Sequence, residues 1–307
     1  MRTIGVPSDS VIYVNPCKLA SHLRFTRDRG VLRTTFDNEP ELHKIAAQHP
    51  AAQLVLRIAT DDSTSTGSAS LSDESGAELR DVPGLIRKAL ELGLELVGVS
   101  FHVGEEYQDA STFVDALKRA RWAFDQMEEL RVTPWLLGIG GGFHSADASK
   151  VTFPEIAAVI RPVIDELFPP HVTVISEPGR YFCAGSHTLA AMIYERRERL
   201  IEDGSAVYDY YLTDGVYGSF NSVLWDRAVI TDYTVIPTQG SRDTALRPLH
   251  KSTVFGPTCD GLDCILKDVT LPLIECGEWI LFPHMGAYTH AASSSYFHQH
   301  TIHYVRM

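Results

Sequence analysis

The segments LVGVSFHVG (96–104), STFVDALKRARWAFDQMEEL (111–130) and WLLGIGGG (135–142) decide the reading of the fold. The outer two are short apolar runs. Between them Phe113, Ala116, Ala120, Ala123 and Phe124 recur at helical spacing along one face. Strand, amphipathic helix, strand is a parallel βα unit. Working outward, similar apolar runs stand at Val11–Val14, Val31–Phe36, Leu54–Ala59 and Val172–Ile175, and Pro83–Leu92 again has helical spacing. That makes six units, where a closed barrel needs eight. The expectation is an α/β chain whose residues 1–190 form an incomplete (β/α)8 barrel.

Residues 61–76 (DDSTSTGSASLSDESG) are polar and lack an apolar period, which reads as an exposed loop. After about Ala190 the pattern changes to strands separated by turns: Val207–Thr213, Ser252–Gly256, Glu278–Phe282 and Thr301–Val305. Residues 236–250 read as a surface loop, and residues 191–307 as a β-rich second domain.

Composition narrows the function. The 307-residue chain carries a formal net charge of −12. That balance disfavours nucleic acid, which wants a basic face, and suits a cationic small molecule. Its apolar stretches are too short to span a bilayer, and the N-terminus has no apolar signal region, so the expected location is the cytoplasm. The five cysteines (Cys17, Cys183, Cys259, Cys264, Cys276) lack paired metal-ligand spacing, which argues against a zinc site or a disulfide framework.

Several motifs could carry chemistry. Gly140-Gly141-Gly142 directly follows a strand, so its amides could approach an anion, or it could simply be a tight turn. Glu177-Pro178-Gly179-Arg180 sets a carboxylate at a strand end, on the face where βα barrels keep their chemistry, or forms an ordinary turn with an ion pair. His102 ends another strand on that face; alone, it could be structural. In Phe255–Asp263 a turn presents Cys259 beside Asp260, as an acid–base pair or as an inert thiol near a carboxylate. Asp214–Asp226 and Gly286-Ala287-Tyr288-Thr289 say little on local grounds.

Taken in order, VIYVNPCK (11–18), TTFDNEPEL (34–42), LVLRIATDDS (54–63), VGVSFHVG (97–104), GIGGGF (138–143), EPGRY (177–181), DGVYGSFN (214–221), FGPTCDGLD (255–263) and GAYT (286–289) resemble the eukaryotic ornithine decarboxylase family of fold-type III pyridoxal-phosphate enzymes. The resemblance implies a βα barrel followed by a β domain, in a head-to-tail homodimer with active sites at the interface. It implies that His102 stacks on the cofactor ring and Glu177 pairs with the pyridine nitrogen. Gly141, Gly142, Gly179, Arg180 and Tyr288 would surround the phosphate. Tyr217 and Asp226 would meet the substrate's distal amine, and Cys259 and Asp260 would reach in from the partner subunit.

Three departures shape the expectation. The family's Schiff-base lysine lies in a first barrel strand, and this chain starts at what resembles the third; Lys18 is the nearest substitute. The phosphate-contacting serine after His-Val-Gly is replaced by Glu105, followed by Glu106. A carboxylate within about 4 Å of a phosphate costs roughly 4 kcal/mol per unit-charge pair at an effective dielectric near 20. A basic family segment reads here Ser70 to Gly76, with Ser70 and Glu74 replacing cations, and Trp225 stands where the family has tyrosine. The expectation is therefore no cofactor, with pyridoxal-phosphate binding lost.

Three functions compete on this reading. One is a cofactor-independent enzyme acting on an amine or iminium, with Cys259, Asp260, His102 and Glu177 catalytic, Glu105, Tyr217, Trp225, Asp226 and Tyr288 binding substrate, and Gly141, Gly142, Gly179 and Arg180 a vestigial phosphate site. The second is a non-catalytic regulator resembling antizyme inhibitors, acting by binding a partner or by forming heterodimers with a paralogous decarboxylase. The third is a truncated pyridoxal-phosphate decarboxylase. The two barrel edges, Val11–Val14 and Val172–Ile175, are expected to be covered, either by repacking or through the dimer, because bare edges pair with other chains.

Overall fold

A computed structural model describes residues 4–60, 75–104, 109–144, 151–202, 204–225, 228–238, 240, 243–294 and 303–305. Glu105, Asp226, Ser70 and Glu74 lie outside these residues. The chain divides into two compact units, Met1–Gly179 and Arg180–Met307.

In the first unit six strands form one sheet, β1 (Ile12–Tyr13), β2 (Arg33–Phe36), β3 (Gln53–Arg57), β4 (Glu95–Ser100), β5 (Leu136–Gly138) and β6 (Thr173–Ile175), hydrogen-bonded in sequence order. Each neighbouring pair is parallel. Parallel neighbours need crossovers, here built on helices α1 (Ala20–Asp28), α2 (Glu39–Gln48), α3 (Val82–Glu91), α4 (Ser111–Glu129) and α5 (Phe153–Leu167). The architecture is that of an incomplete (β/α)8 barrel.

Helix starts follow local chemistry. Asn38 caps α2 by accepting the Glu41 amide at 2.9 Å, and Thr152 and Glu155 form a reciprocal capping box on α5. Helix α4 buries Phe113, Ala116, Leu117, Ala120, Ala123, Phe124 and Met127, the face its spacing marked out. That face packs with Leu54, Leu56, Val99 and Leu137 in the main core. The opposite sheet face carries a smaller cluster of Val55, Val97 and Leu136, flanked by Ile12, Trp135 and Ile175. Period-two alternation explains the split: Val55 and Leu56 are neighbours in sequence yet feed different clusters.

Within this unit the barrel edges are not covered by further strand pairing, which leaves the dimer as the expected cover. Strands β1 and β6 end the sheet, each pairing with one neighbour, and Val174 is 37% exposed. Lys18 turns away from any imine role. Its buried Nζ donates to the carbonyls of Asn15 (3.0 Å), Pro16 (3.2 Å) and Thr35 (2.6 Å), and it pairs with Glu41 at 3.0 Å. Burial lowers its pKa, against the attraction of Glu41.

The second unit is a six-stranded mixed sheet ordered β11-β10-β8-β7-β12-β9. Its strands are β7 (Leu189–Leu200), β8 (Ala206–Leu212), β9 (Thr234–Ile236), β10 (Leu249–Phe255), β11 (Cys264–Pro272) and β12 (Trp279–Phe282). Strands β8 and β10 run parallel, and every other pair is antiparallel. Its core gathers Ile193, Tyr210, Leu212, Phe220, Val254, Ile274, Ile280 and Phe282.

Sequence reading missed β7 because Glu195-Arg196-Arg197-Glu198-Arg199 looks like a solvated run. In the sheet Arg199 forks Asp209 at 2.6 and 2.7 Å, and Arg196 meets Glu275 at 2.9 Å. The loop expected over 236–250 instead holds a 3-10 turn, Thr244–Leu246, and the start of β10. Of the strand expected over Thr301–Val305, residues 301–302 lie outside the described set and 303–305 have no strand conformation.

The units divide between residues 179 and 180, ahead of the change expected at 190. Residues 184–187 belong with the second unit, since the amides of Gly286 and Met285 donate to the carbonyls of Ala184 (3.0 Å) and His187 (3.0 Å).

Candidate functional site

The first unit holds one constellation at the C-terminal ends of its strands. Arg57, Ser100, Gly138 and Ile175 pair in register across β3 to β6. One residue pair further along, His102 and Glu177 continue the same faces. Together with Val14, Thr35 and Phe101, the side chains of Arg57, Ser100, His102 and Glu177 line a small cleft.

The glycine triplet is a packing requirement of this cleft. Gly140 and Gly142 sit at φ +62° and +86°, where L side chains are strained. The Gly140 carbonyl accepts the Glu177 amide at 2.7 Å. A Cβ on Gly140 would lie 2.4 Å from the Phe101 carbonyl oxygen. On Gly141 it would lie 2.8 Å from the Glu177 carbonyl oxygen and 3.1 Å from His102 Nε2. The bare backbone therefore lets the His102 ring and the Glu177 segment approach each other.

His102 Nδ1 accepts the Gly104 amide at 3.0 Å, which makes Nδ1 the unprotonated nitrogen and leaves the proton of the neutral ring on Nε2. Burial pushes the Glu177 carboxyl above its ordinary pKa, and Arg57 pulls it back. Burial lowers the Arg57 guanidinium, opposed by Glu177 and then Asp37. A partly desolvated carboxylate, an arginine and a tautomer-fixed imidazole on one wall suit a flat, nitrogen-bearing ring. Gly179 follows, its amide donating to the Glu177 carbonyl at 2.8 Å.

The second unit gathers a separate group. Tyr217 donates its hydroxyl to Asp260, and Asp260 Oδ1 accepts the Leu262 amide at 3.0 Å. The Leu262 amide and then Tyr217 hold the Asp260 carboxyl below its usual range, while Asp260 pushes the Tyr217 hydroxyl up. An aspartate so engaged is an acceptor for a cation and a poor proton donor at neutral pH. Neighbouring Cys259 is exposed. The Arg180 guanidinium lies 4.7 Å over the Tyr288 ring, and Tyr288 sits at φ +54°. Trp225 ends a short helix and is 73% exposed.

Sequence reasoning passed over Asp263, the last residue of FGPTCDGLD. It is fully buried, and its Oδ1 accepts the Val216 amide at 2.8 Å. Its Oδ2 accepts the Thr258 amide at 3.0 Å and the Thr258 hydroxyl at 2.7 Å. Cβ atoms on Gly215 or Gly256 would fall 2.2 and 2.1 Å from Asp263 Oδ1, so both glycines make room for this carboxylate. Ser100 was also passed over, because an uncharged residue inside a strand gives no signal in sequence. No metal-binding cluster of His, Cys, Asp and Glu occurs among the described residues. Among them no helix is long and apolar enough to cross a membrane.

With this geometry in view, the chain matches the family model "Pyridoxal-dependent decarboxylase, pyridoxal binding domain" over residues 1–184. It belongs to the pyridoxal-dependent, ornithine/arginine-type decarboxylase family. Within that family it is similar to antizyme inhibitor 2 of Xenopus laevis, 42% identical over 99% of this chain and 68% of that one. It is also similar to ornithine decarboxylase of Cricetulus griseus, 44% identical with the same coverage. Among solved structures, arginine decarboxylase of Paramecium bursaria Chlorella virus bound to agmatine superposes with a TM-score of 0.87 at 32% identity, covering 96% of this chain and 77% of that one.

This corrects the expectation that no cofactor is used. The matched residues are those of a pyridoxal-binding domain, and they contain the whole of the cleft. That expectation leaned on Glu105, which lies outside the described residues, and on lysine placement; His102 and Glu177 both line the cleft. The residues present fit the group: the bare Gly141 backbone between His102 and Glu177 leaves a flat wall, and the buried Ser100 hydroxyl lacks a partner among the described residues. The cofactor-independent amine chemistry built on that expectation falls with it.

Proposed function

We propose that the chain is a regulatory member of the decarboxylase family, acting on a polyamine-pathway decarboxylase through protein partners in the way the name antizyme inhibitor 2 describes. The observation that carries this reading is the similarity to antizyme inhibitor 2, 42% identical over 99% of the chain. The partners in this proposal are antizyme, a paralogous decarboxylase in a heterodimer, or a second copy in a homodimer.

The test is reconstitution. Purified protein is added to an active ornithine decarboxylase held down by antizyme, and decarboxylation is followed. Recovery of rate with a stable complex supports the reading; no complex and no change of rate overturns it.

A second reading, a pyridoxal-phosphate-dependent decarboxylase of an amine-containing amino acid, is favoured by the match to the pyridoxal-binding domain. In it His102 and Glu177 hold the ring, and Gly141, Gly142 and Gly179 take the phosphate. When bound, the cofactor supplies an electron sink for the carbanion left at the substrate α-carbon. Glu177 would hold the ring nitrogen's proton. Carbon dioxide release from ornithine, arginine or lysine by the purified protein decides between the two.

A further inference from the structure

Ser100 is 6% exposed, and its hydroxyl oxygen is buried without a hydrogen-bond partner among the described residues. Proteins seldom leave a buried hydroxyl unpaired, because it gives up its water contacts for nothing. Alanine would fill the same Cβ position without that cost. The surroundings explain what the hydroxyl serves. Ser100 pairs in register with Arg57 on one side and Gly138 on the other. A Cβ on Gly138 would lie 2.9 Å from Ser100 Cβ, so the bare Gly138 backbone is what lets the serine sit at this point of the sheet.

Arg57, Ser100 and Glu177 line the same cleft. Among the described residues the Arg57 and Glu177 side chains influence each other by charge, with no hydrogen bond between them. Their chemistries are complementary: one guanidinium, one hydroxyl donor and one carboxylate acceptor. The ligand that satisfies all three has a nitrogen-bound proton for Glu177 and an oxygen acceptor for Ser100, and the adjacent arginine favours that oxygen in its ionised form.

We propose that Ser100 is a ligand-binding residue of this cleft, its hydroxyl donating to the ring oxygen of a 3-hydroxypyridine whose ring nitrogen faces Glu177. The family's cofactor, pyridoxal 5′-phosphate, is a ligand of that class. The inference stands apart from the regulatory reading, since antizyme binding can fail while the cleft still takes its ring.

The experiment uses the full chain and two probes, pyridoxal 5′-phosphate and its analogue lacking the ring hydroxyl. Equilibrium affinity is measured by calorimetry, and melting temperature is measured without ligand. For Ser100→Ala the expected result is a roughly tenfold loss of affinity for pyridoxal 5′-phosphate, no change for the deoxy analogue, and a ligand-free melting temperature equal to or above that of the parent. Ser100→Cys, which keeps a weak donor, is expected to lie between. A parent protein that binds neither probe overturns the proposal. So does an Ser100→Ala protein whose two affinities stay equal to the parent's, or fall by the same factor. A lowered ligand-free melting temperature in Ser100→Ala would make the residue structural and overturn it as well.

Discussion

Asp263 Oδ1 accepts the Val216 amide at 2.8 Å, joining two loops whose residues are 47 apart in sequence. Val216 precedes Tyr217, and Thr258, held by the other oxygen, precedes Cys259 and Asp260. One buried carboxylate therefore sets the separation at which Tyr217 and Asp260 meet. Removing it leaves buried amides unpaired. Asp263→Ala is expected to cost about 2–4 kcal/mol, measured by urea unfolding, and to abolish the mutual effect of Tyr217 and Asp260.

The Lys18–Glu41 pair is buried on both sides, so the cost of breaking it lies mostly in the charge left behind. Glu41→Gln alone is expected to destabilise by about 3–5 kcal/mol. Lys18→Met with Glu41→Leu together should recover most of that loss. A double variant no better than the single one would show that the carbonyl contacts of Lys18 matter more than the pair.

Glu177 yields a pH signature. Its folded pKa is raised above the ordinary 4.5, chiefly by burial. The folded protein therefore holds this proton more tightly than the unfolded chain, and that contribution is fully present below pH 4.5. It is lost as pH rises through the folded value. Glu177→Gln removes the titration. Its melting temperature, compared with the parent without ligand, should match below pH 4.5 and exceed it progressively at higher pH.

Gly140→Ala is expected to be more damaging than Gly141→Ala. The first meets a positive φ and a backbone oxygen at 2.4 Å, the second a backbone oxygen at 2.8 Å with a normal φ. Overpacking of this kind costs typically about 1–3 kcal/mol, and the difference in melting temperature between the two variants reads the strain at Gly140.

On α4, Phe124 is fully buried and Trp122 is 36% exposed. Phe124→Ala should cost about 3–5 kcal/mol. Trp122→Ala should cost far less, although the larger side chain is removed. Equal losses would contradict the face assigned to this helix.

How much was legible in advance differs by element. The βα alternation of the first unit could be read because a parallel strand is buried on both faces and its helix on one, which writes two different periods into the chain. Strand β7 could not, because its Arg196 and Arg199 are neutralised by Glu275 and by Asp209 of β8, and sequence does not announce such partners. Of the site, His102, Glu177, Tyr217 and Asp260 could be named from motifs. Their grouping into a cleft in one unit and a carboxylate–phenol pair in the other could not.

The repeated βα units, the change to strands and the family follow from the chain alone, because period and ordered motifs are local properties. Folding in three dimensions settles which residues line the cleft, commits Lys18 to its own fold, and brings Asp263 and Ser100 beside the motif residues. Those are facts of distance between segments remote in sequence. A buried polar group acquires meaning only when its partners, or their absence among the described residues, can be seen.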